Sequence, residues 1–495
     1  MKHKILLLFL LSSFSTMVVY AQREMTWWYF GYNAGFDFTK VLNGETIIPE
    51  KVSGPIFTAE GCFSISDYLG NFLMASDGIT VFNKDRQVME NGTGLFGDPS
   101  AAQSGIIIPR PQYSGQYYIV TVPFYGNTAP GICYSTVDLN QNGGLGKVTE
   151  KNKPLNLGGG YSRSDIYENI ASVQHSNGID YWLVHRSRQY FYSWLVTKDG
   201  IDPTPVYISD IGVDLGVPVV TTNHVGPGNI KFSKDGKLIA QSGWRGMTLG
   251  EFDALSGKIT NISSITVPAS QRYAYGCEFS PNGKYLYYSR YYNAGVGRFK
   301  TDTKLDLQTP TMLHMNYKWH GMQIGPNDRI YSFDIDPSKL ALIIIDNPDD
   351  GGTNIISQND YFISADFYRT GYQDVLNLPT FATSTFRFEG LIHDPADICM
   401  EKPVTFSVNI VASGAIPMNK IIWDFGDGTT IDDSDFSNPI HTVNHTYKRR
   451  GTYTLTITPY QDAISIDEWK ISKEIRAKSC RLPVNHNISA MGYYD

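Results

Sequence analysis

Asn229-Ile-Lys-Phe-Ser-Lys-Asp-Gly-Lys-Leu-Ile-Ala240 and Cys277-Glu-Phe-Ser-Pro-Asn-Gly-Lys-Tyr-Leu-Tyr-Tyr288 are the same pattern written twice, with Phe232 and Phe279 47 residues apart. A weaker third copy, Met322-Gln-Ile-Gly-Pro-Asn-Asp-Arg-Ile-Tyr-Ser332, places Ile324 45 residues beyond Phe279. Each copy is an alternating apolar run, then Asp-Gly, Asn-Gly or Asn-Asp, then a second apolar run. A dipeptide that accepts positive φ suits a two-residue hairpin, so each copy reads as two antiparallel strands joined tightly. A repeat of about 40 to 50 residues leaves room for two further strands, which makes one four-stranded blade of a β-propeller.

Working outward, the same shape recurs in Glu60 to Ala75, Gly105 to Val120 and Ile170 to Val184. The apolar anchors are then Phe63, Ile107, Val173, Phe232, Phe279 and Ile324, one per blade. Steps of 66 and 59 residues around Val173 imply loop insertions in the middle blades. A last blade running from Leu340 to Ile345 and on through Pro379 to Phe381, completed by the aromatic stretch Thr26 to Thr39 as a ring-closing edge strand, makes seven. Six or eight are compatible with the same spacing.

Composition agrees with this reading. The 495 residues include 46 Gly and 32 Tyr, 13% are aromatic and only 18% charged, which favours strands and turns. A net charge of −7, with no basic run longer than Lys448-Arg-Arg450, argues against nucleic acid as a partner. Lys2 and Lys4, the apolar run Ile5 to Val19 and Ala21 before Gln22 read as a secretory signal peptide over residues 1–21. No stretch approaches the ~20 apolar residues of a membrane span.

From Phe386 the character changes to short alternating strands: Val404 to Ile410, Ile421 to Thr429, His445 to Tyr447 and Gly451 to Ile457. That suits a small two-sheet sandwich. The expected division is a signal peptide (1–21), a propeller (22–388), a sandwich (389–480) and a short polar tail (481–495). Five cysteines leave one over in an oxidising compartment. Cys399 and Cys480 bracket the sandwich and are the expected disulfide, while Cys62, Cys133 and Cys277 sit on apolar strands as small core residues.

Trp423-Asp-Phe-Gly-Asp-Gly428, with His445-Thr-Tyr447 and Gly451 to Ile457 behind it, closely resembles the polycystic-kidney-disease (PKD) domain. Trp423 and Phe425 alternate into a core, and Gly426 and Gly428 permit the tight turn. Asp424 and Asp427 are expected to hold loop amides. They are also the one candidate calcium site, although two carboxylates fill only part of a calcium shell. No other cofactor is expected.

Trp28 to Phe38, Glu60-Gly-Cys62, Asn91 to Leu95, Gly144 to Val148 and Tyr275 to Ser280 resemble the N-terminal propeller of Bacteroidetes surface proteins of the gliding-motility type. In those proteins a PKD domain follows, and a type IX secretion sorting domain ends the chain. Only fifteen residues follow Cys480, so no sorting domain is expected here. The resemblance implies an exported protein, periplasmic, outer-membrane-associated or extracellular.

No nucleophile elbow, phosphate loop or zinc-helix motif occurs. Reading back from each anchor to the mouth of a central channel gives Glu60, Gln103, Glu168, Asn169, His224, Arg272, Tyr275 and His320 as candidate ligand contacts. Trp244-Arg245, Tyr291-Tyr292 and Trp319-His320 are candidate aromatic contacts for a sugar or protein. The expected function is non-catalytic binding or adhesion at the cell envelope, with an envelope protein or surface glycan as partner. Two alternatives stand beside it: a propeller hydrolase or lyase acting on glycan or peptide at the channel mouth, and a structural subunit docking on an outer-membrane secretion or motility complex.

Overall fold

The computed structural model describes residues 23–67, 70–111, 113, 115–124, 131–157, 166–176, 180–214, 217–220, 223–225, 228–243, 245–266, 274–289, 295–301, 310–314, 321–334, 341–359, 377–383, 397–409, 420–435, 440–461, 464–465 and 470–480. The signal-peptide reading and the polar tail fall outside these residues.

The chain is all-β, a propeller followed by a PKD sandwich. All six anchors lie on the first strand of a sheet. These innermost strands are Phe63–Ser66 (blade 1), Gly105–Pro109 (blade 2), Ala171–Gln174 (blade 3), Ile230–Phe232 (blade 4), Cys277–Phe279 (blade 5) and Gln323–Ile324 (blade 6), and they neighbour one another in that order. Each is followed outward by antiparallel strands.

The seventh sheet corrects the expectation. Ala341–Ile345 is the third strand of blade 6, not part of a last blade. Residues 27–57 supply a whole three-stranded sheet, Trp27–Phe30, Tyr32–Asp37 and Glu50–Phe57, rather than one edge strand. This blade 7 sits between blades 6 and 1. Its Trp28 and Phe30, both fully buried, meet Tyr331 and Phe333 of blade 6 at ring-centroid distances of 5.7 and 5.3 Å, and Tyr29 meets Phe72 of blade 1 at 4.9 Å.

The repeated turn also differs from a two-residue hairpin. In blades 4 and 5 the Gly236 and Gly283 amides bond back to the Ser233 and Ser280 carbonyls at 2.8 and 2.9 Å. The glycines take φ of 72° and 69°, so each loop is a turn closed by one left-handed residue. The Ser233 and Ser280 hydroxyls then accept the Leu238 and Tyr285 amides at 2.9 and 3.0 Å. That bond explains the serine preceding each Asp-Gly or Asn-Gly.

Blades 1 and 2 merge into one eight-stranded sheet through their outer strands, where Lys147 pairs with Glu90 in parallel. The segments Asn91 to Leu95 and Gly144 to Val148 hold this join. The Asn91 amide donates to the Val148 carbonyl at 2.7 Å, and Lys147 reaches Glu90 at 2.8 Å. The merger removes two exposed sheet edges.

The sandwich packs one sheet containing Lys420–Asp424, Gly451–Gln461 and Ile471–Lys478 with a second made of Val404–Asn409 and Ile440–His445. Trp423, Phe425, Phe406, Tyr447 and Ile475 form its core. Cys399 and Cys480 are disulfide-bonded, and Cys62, Cys133 and Cys277 are buried free thiols.

Candidate functional site

An innermost blade strand pairs with its neighbour along one edge only, and the N–H and C=O groups of its other edge face the hub. Those groups need partners, because buried backbone polar atoms left unpaired are costly. In this ring the partners are side chains and one returning piece of chain.

At the end where the innermost strands begin, Gln103 is 1% exposed and reaches past its own blade. Its Oε1 accepts from the Ile230 and Ile170 amides at 2.9 and 3.3 Å, and its Nε2 donates to the Ile230 carbonyl at 3.4 Å. Glu168, equally buried, accepts from the Ala102 amide at 3.0 Å. Asn169 clamps both backbone groups of Arg186, at 2.9 and 3.2 Å, and its carbonyl contacts His185 Nδ1 at 2.7 Å. Tyr275 packs on Ala102 and donates its hydroxyl to Glu60 at 2.9 Å across 215 residues of sequence.

Five of the eight expected mouth residues, Glu60, Gln103, Glu168, Asn169 and Tyr275, therefore do converge. They converge as a polar cluster, buried at Gln103, Glu168, Asn169 and Tyr275 and half-buried at Glu60, in which Gln103, Glu168 and Asn169 bond backbone and Tyr275 bonds Glu60. His224 lies on the strand Asn223–Val225, described in backbone only. Arg272 and His320 lie outside the described residues, as do Trp244, Tyr291, Tyr292 and Trp319.

The opposite end of the hub carries a second polar group. Lys231, Glu278 and Gln323 each immediately precede an anchor, on blades 4, 5 and 6. Lys231 Nζ lies 3.2 Å from Glu278 and also bonds Gln323. Glu278 accepts the Phe279 and Ile324 amides, both at 3.0 Å, and Gln323 donates to the Ile324 carbonyl at 3.2 Å. Beside them Lys234 of blade 4 bonds Asp328 of blade 6. Burial lowers the Lys234 amine, against the opposing pull of Asp328.

Between these strands and Phe381 to Thr383 is a cavity of about 40 Å³. That is room for a few waters, at ~10–15 Å³ each. Lys231, Glu278 and Gln323 were missed in the sequence. The available signal was a long polar side chain one position before the anchor, where blades 1 to 3 carry Cys62, Ile106 and Ser172.

Between blades 3 and 4, Arg186 is fully buried and donates to Gln241, Thr248 and the Val213 carbonyl at 2.5, 2.7 and 2.8 Å. Burial brings its pKa down to about 10, opposed by Tyr167 and Asp214. Burial likewise lowers His185 to about 4, only partly offset by Asn169, so its imidazole is neutral.

In the PKD loop, Asp424 accepts the Gly426 amide at 2.9 Å and Asp427 accepts the Thr429 amide at 3.1 Å. Asp427 also meets His445 Nε2 at 2.9 Å, with that imidazole stacked on Phe425 at 4.0 Å. Burial pushes the Asp427 carboxyl up, but the His445 and Thr429 bonds outweigh it and hold it below its ordinary value.

Residues 391–467 match the family model of the PKD domain. No curated protein sequence matches the chain. Among solved structures, the chain is similar to a protein described as a 6-phosphogluconolactonase from Bacteroides uniformis, at 16% identity and a TM-score of 0.41 over 66% of this chain and 90% of that one. It is similar to the β-propeller domain of Swd1 from Myceliophthora thermophila, at 10% identity and a TM-score of 0.41 over 64% and 93%. It is also similar to the extracellular domain of a one-component system from Bacteroides thetaiotaomicron, at 13% identity and a TM-score of 0.38 over 93% of this chain. The chain spans 57% of that last protein's length. Among the described residues no helix is long and apolar enough to cross a membrane.

Proposed function

We propose that this is an exported, non-catalytic binding protein of a Bacteroidetes cell envelope. In this reading the propeller holds an envelope protein or a surface glycan on its loops, and the PKD domain acts as spacer or second contact. The observation that carries it is the commitment of the hub's polar side chains to strand edges. Gln103, Glu168, Asn169 and Glu278 each bond backbone, whereas a general acid or base has to face its substrate. Ligand contact is then left to the other expected positions, His224, Arg272, His320, Trp244, Tyr291, Tyr292 and Trp319. Calcium at Asp424 and Asp427 would displace the His445 bond to Asp427, and the reading does not need it.

A second reading, a hydrolase or lyase, is favoured by one observation, the Lys231–Glu278 pair beside the hub cavity. The test is a pull-down from envelope extract with the mature chain and with a Lys231→Met, Glu278→Gln double variant, alongside turnover assays on glycan and peptide mixtures. The proposal expects both chains to retain the same partner and neither to turn anything over. Turnover by the unaltered chain that the double variant loses would transfer the function to the hub.

A further inference from the structure

A propeller has to hold its first and last blades together. In this ring blade 7 is built from residues 27–57 and blade 6 from residues 323–359. Among the described residues no sheet mixes strands from both. Their seam is aromatic packing, Trp28 on Tyr331 and Phe30 on Phe333. Beyond that packing, the Tyr331 hydroxyl donates to the Ile47 carbonyl at 3.3 Å, a slight lock for a ring whose opening would expose two sheet faces.

The chain returns to the hub after blade 6. Asn377 donates its amide to the Ala102 carbonyl ahead of blade 2, and its own carbonyl lies 3.9 Å from Cys62 Sγ, ahead of blade 1. The Thr380 amide bonds the Cys62 carbonyl at 3.0 Å. Leu378 joins the aromatic cluster of blades 6 and 7, and the Phe381 ring lies 5.9 Å from Trp28. Thr383 pairs in parallel with Val173 of blade 3, its amide bonding the Ser172 carbonyl at 2.8 Å and its carbonyl accepting the Gln174 amide at 3.0 Å.

Seven residues thus touch blades 1, 2, 3, 6 and 7. The ring is shaped to admit them: a Cβ on Gly321, at the start of blade 6, would stand 2.0 Å from Asn377 Oδ1.

We propose that Asn377 to Thr383 is an internal clasp that closes the ring from the hub, in place of a blade shared between the chain ends. The clasp bonds the earliest blades to chain that follows the last one, so releasing it frees the seam between blades 6 and 7 and uncovers Cys62. It also lies seven residues before the PKD residues 391–467, so a pull on that domain bears on the ring's closure.

Cysteine alkylation of the full chain, read by peptide mapping, tests the clasp. Cys62 is fully buried against the clasp, and Cys133 is fully buried in the third strand of blade 2, away from it. An Asn377→Ala, Leu378→Ala variant is expected to label Cys62 at least about tenfold faster while Cys133 keeps its rate, the mark of a local opening. An unchanged Cys62 rate, or Cys62 and Cys133 rising together, overturns the clasp. Should that variant fail to fold, the unaltered chain decides in urea below its midpoint. Cys62 labelling at lower urea than Cys133 supports the clasp, and coincident curves overturn it.

Discussion

The two ends of the hub are built from the same innermost strands yet use polar side chains differently. At the leading end Gln103, Glu168 and Asn169 are sealed in and bond backbone, Gln103 and Glu168 in other blades and Asn169 in its own. At the trailing end Lys231, Glu278 and Gln323 bond each other as well as backbone, and a small cavity lies beside them. The leading end behaves as core that happens to be polar. The trailing end is a buried charged pair with a cavity beside it. The difference teaches that a polar residue aimed at a propeller axis is first a candidate partner for an unpaired strand edge, and only then a candidate ligand contact.

Breaking the leading end should be the more costly. Gln103→Leu removes the partner of two buried amides and a carbonyl. A loss of about 4 kcal/mol in urea unfolding is expected, at roughly 1–3 kcal/mol per stranded group. A loss below about 1 kcal/mol would erase the distinction between the ends.

The pH dependence sharpens the same contrast. His185, held down to about 4 by burial, is neutral in the fold, whereas the unfolded chain takes up a proton below about 6.5. Its contribution is therefore complete above pH 6.5 and is lost as pH falls toward 4, by about 3 kcal/mol in all. Comparing urea midpoints of His185→Gln and the unaltered chain between pH 7 and 4 checks this, with a flatter profile expected for the variant.

At the trailing end Glu278→Gln keeps an acceptor for only one of the Phe279 and Ile324 amides and removes the charge facing Lys231. A loss of about 3 kcal/mol is expected, since the pair is buried and the change leaves the Lys231 amine without its counter-charge. In the sandwich, the depressed Asp427 carboxyl contributes stability above its unfolded pKa, and that stability is lost as pH falls through the lower folded value. Asp427→Asn should remove that acid-range dependence from the PKD transition, followed by circular dichroism, and leave the ring's unchanged.

Much of the ring was legible because its repeat is local. Phe232 and Phe279 sit one residue before a serine that caps the turn, and the strand-turn-strand shape of that repeat, recurring more loosely, located all six innermost strands. The seventh blade was not legible, because Tyr32–Asp37 and Glu50–Phe57 lack the turn signature and pair around a longer connection. Ala341–Ile345 read as a new blade because an all-apolar run looks like an innermost strand when it is a third strand buried on both faces. The seal was half legible: position before an anchor predicts convergence on the hub, but nothing local says that Gln103 will meet Ile230, 127 residues away. Lys231, Glu278 and Gln323 stood in plain view inside the repeat and read as ordinary alternation.

The most direct measurement is amide hydrogen exchange in the segment Asn229 to Phe232, compared between the unaltered chain and Gln103→Ala. If hub side chains serve strand edges, the Ile230 amide should exchange at least about tenfold faster in the variant, while Cys277 to Phe279, held by Glu278, keeps its rate. Equal exchange at Ile230 in both chains would contradict the account, because Gln103 would then be aimed at the hub for some other purpose.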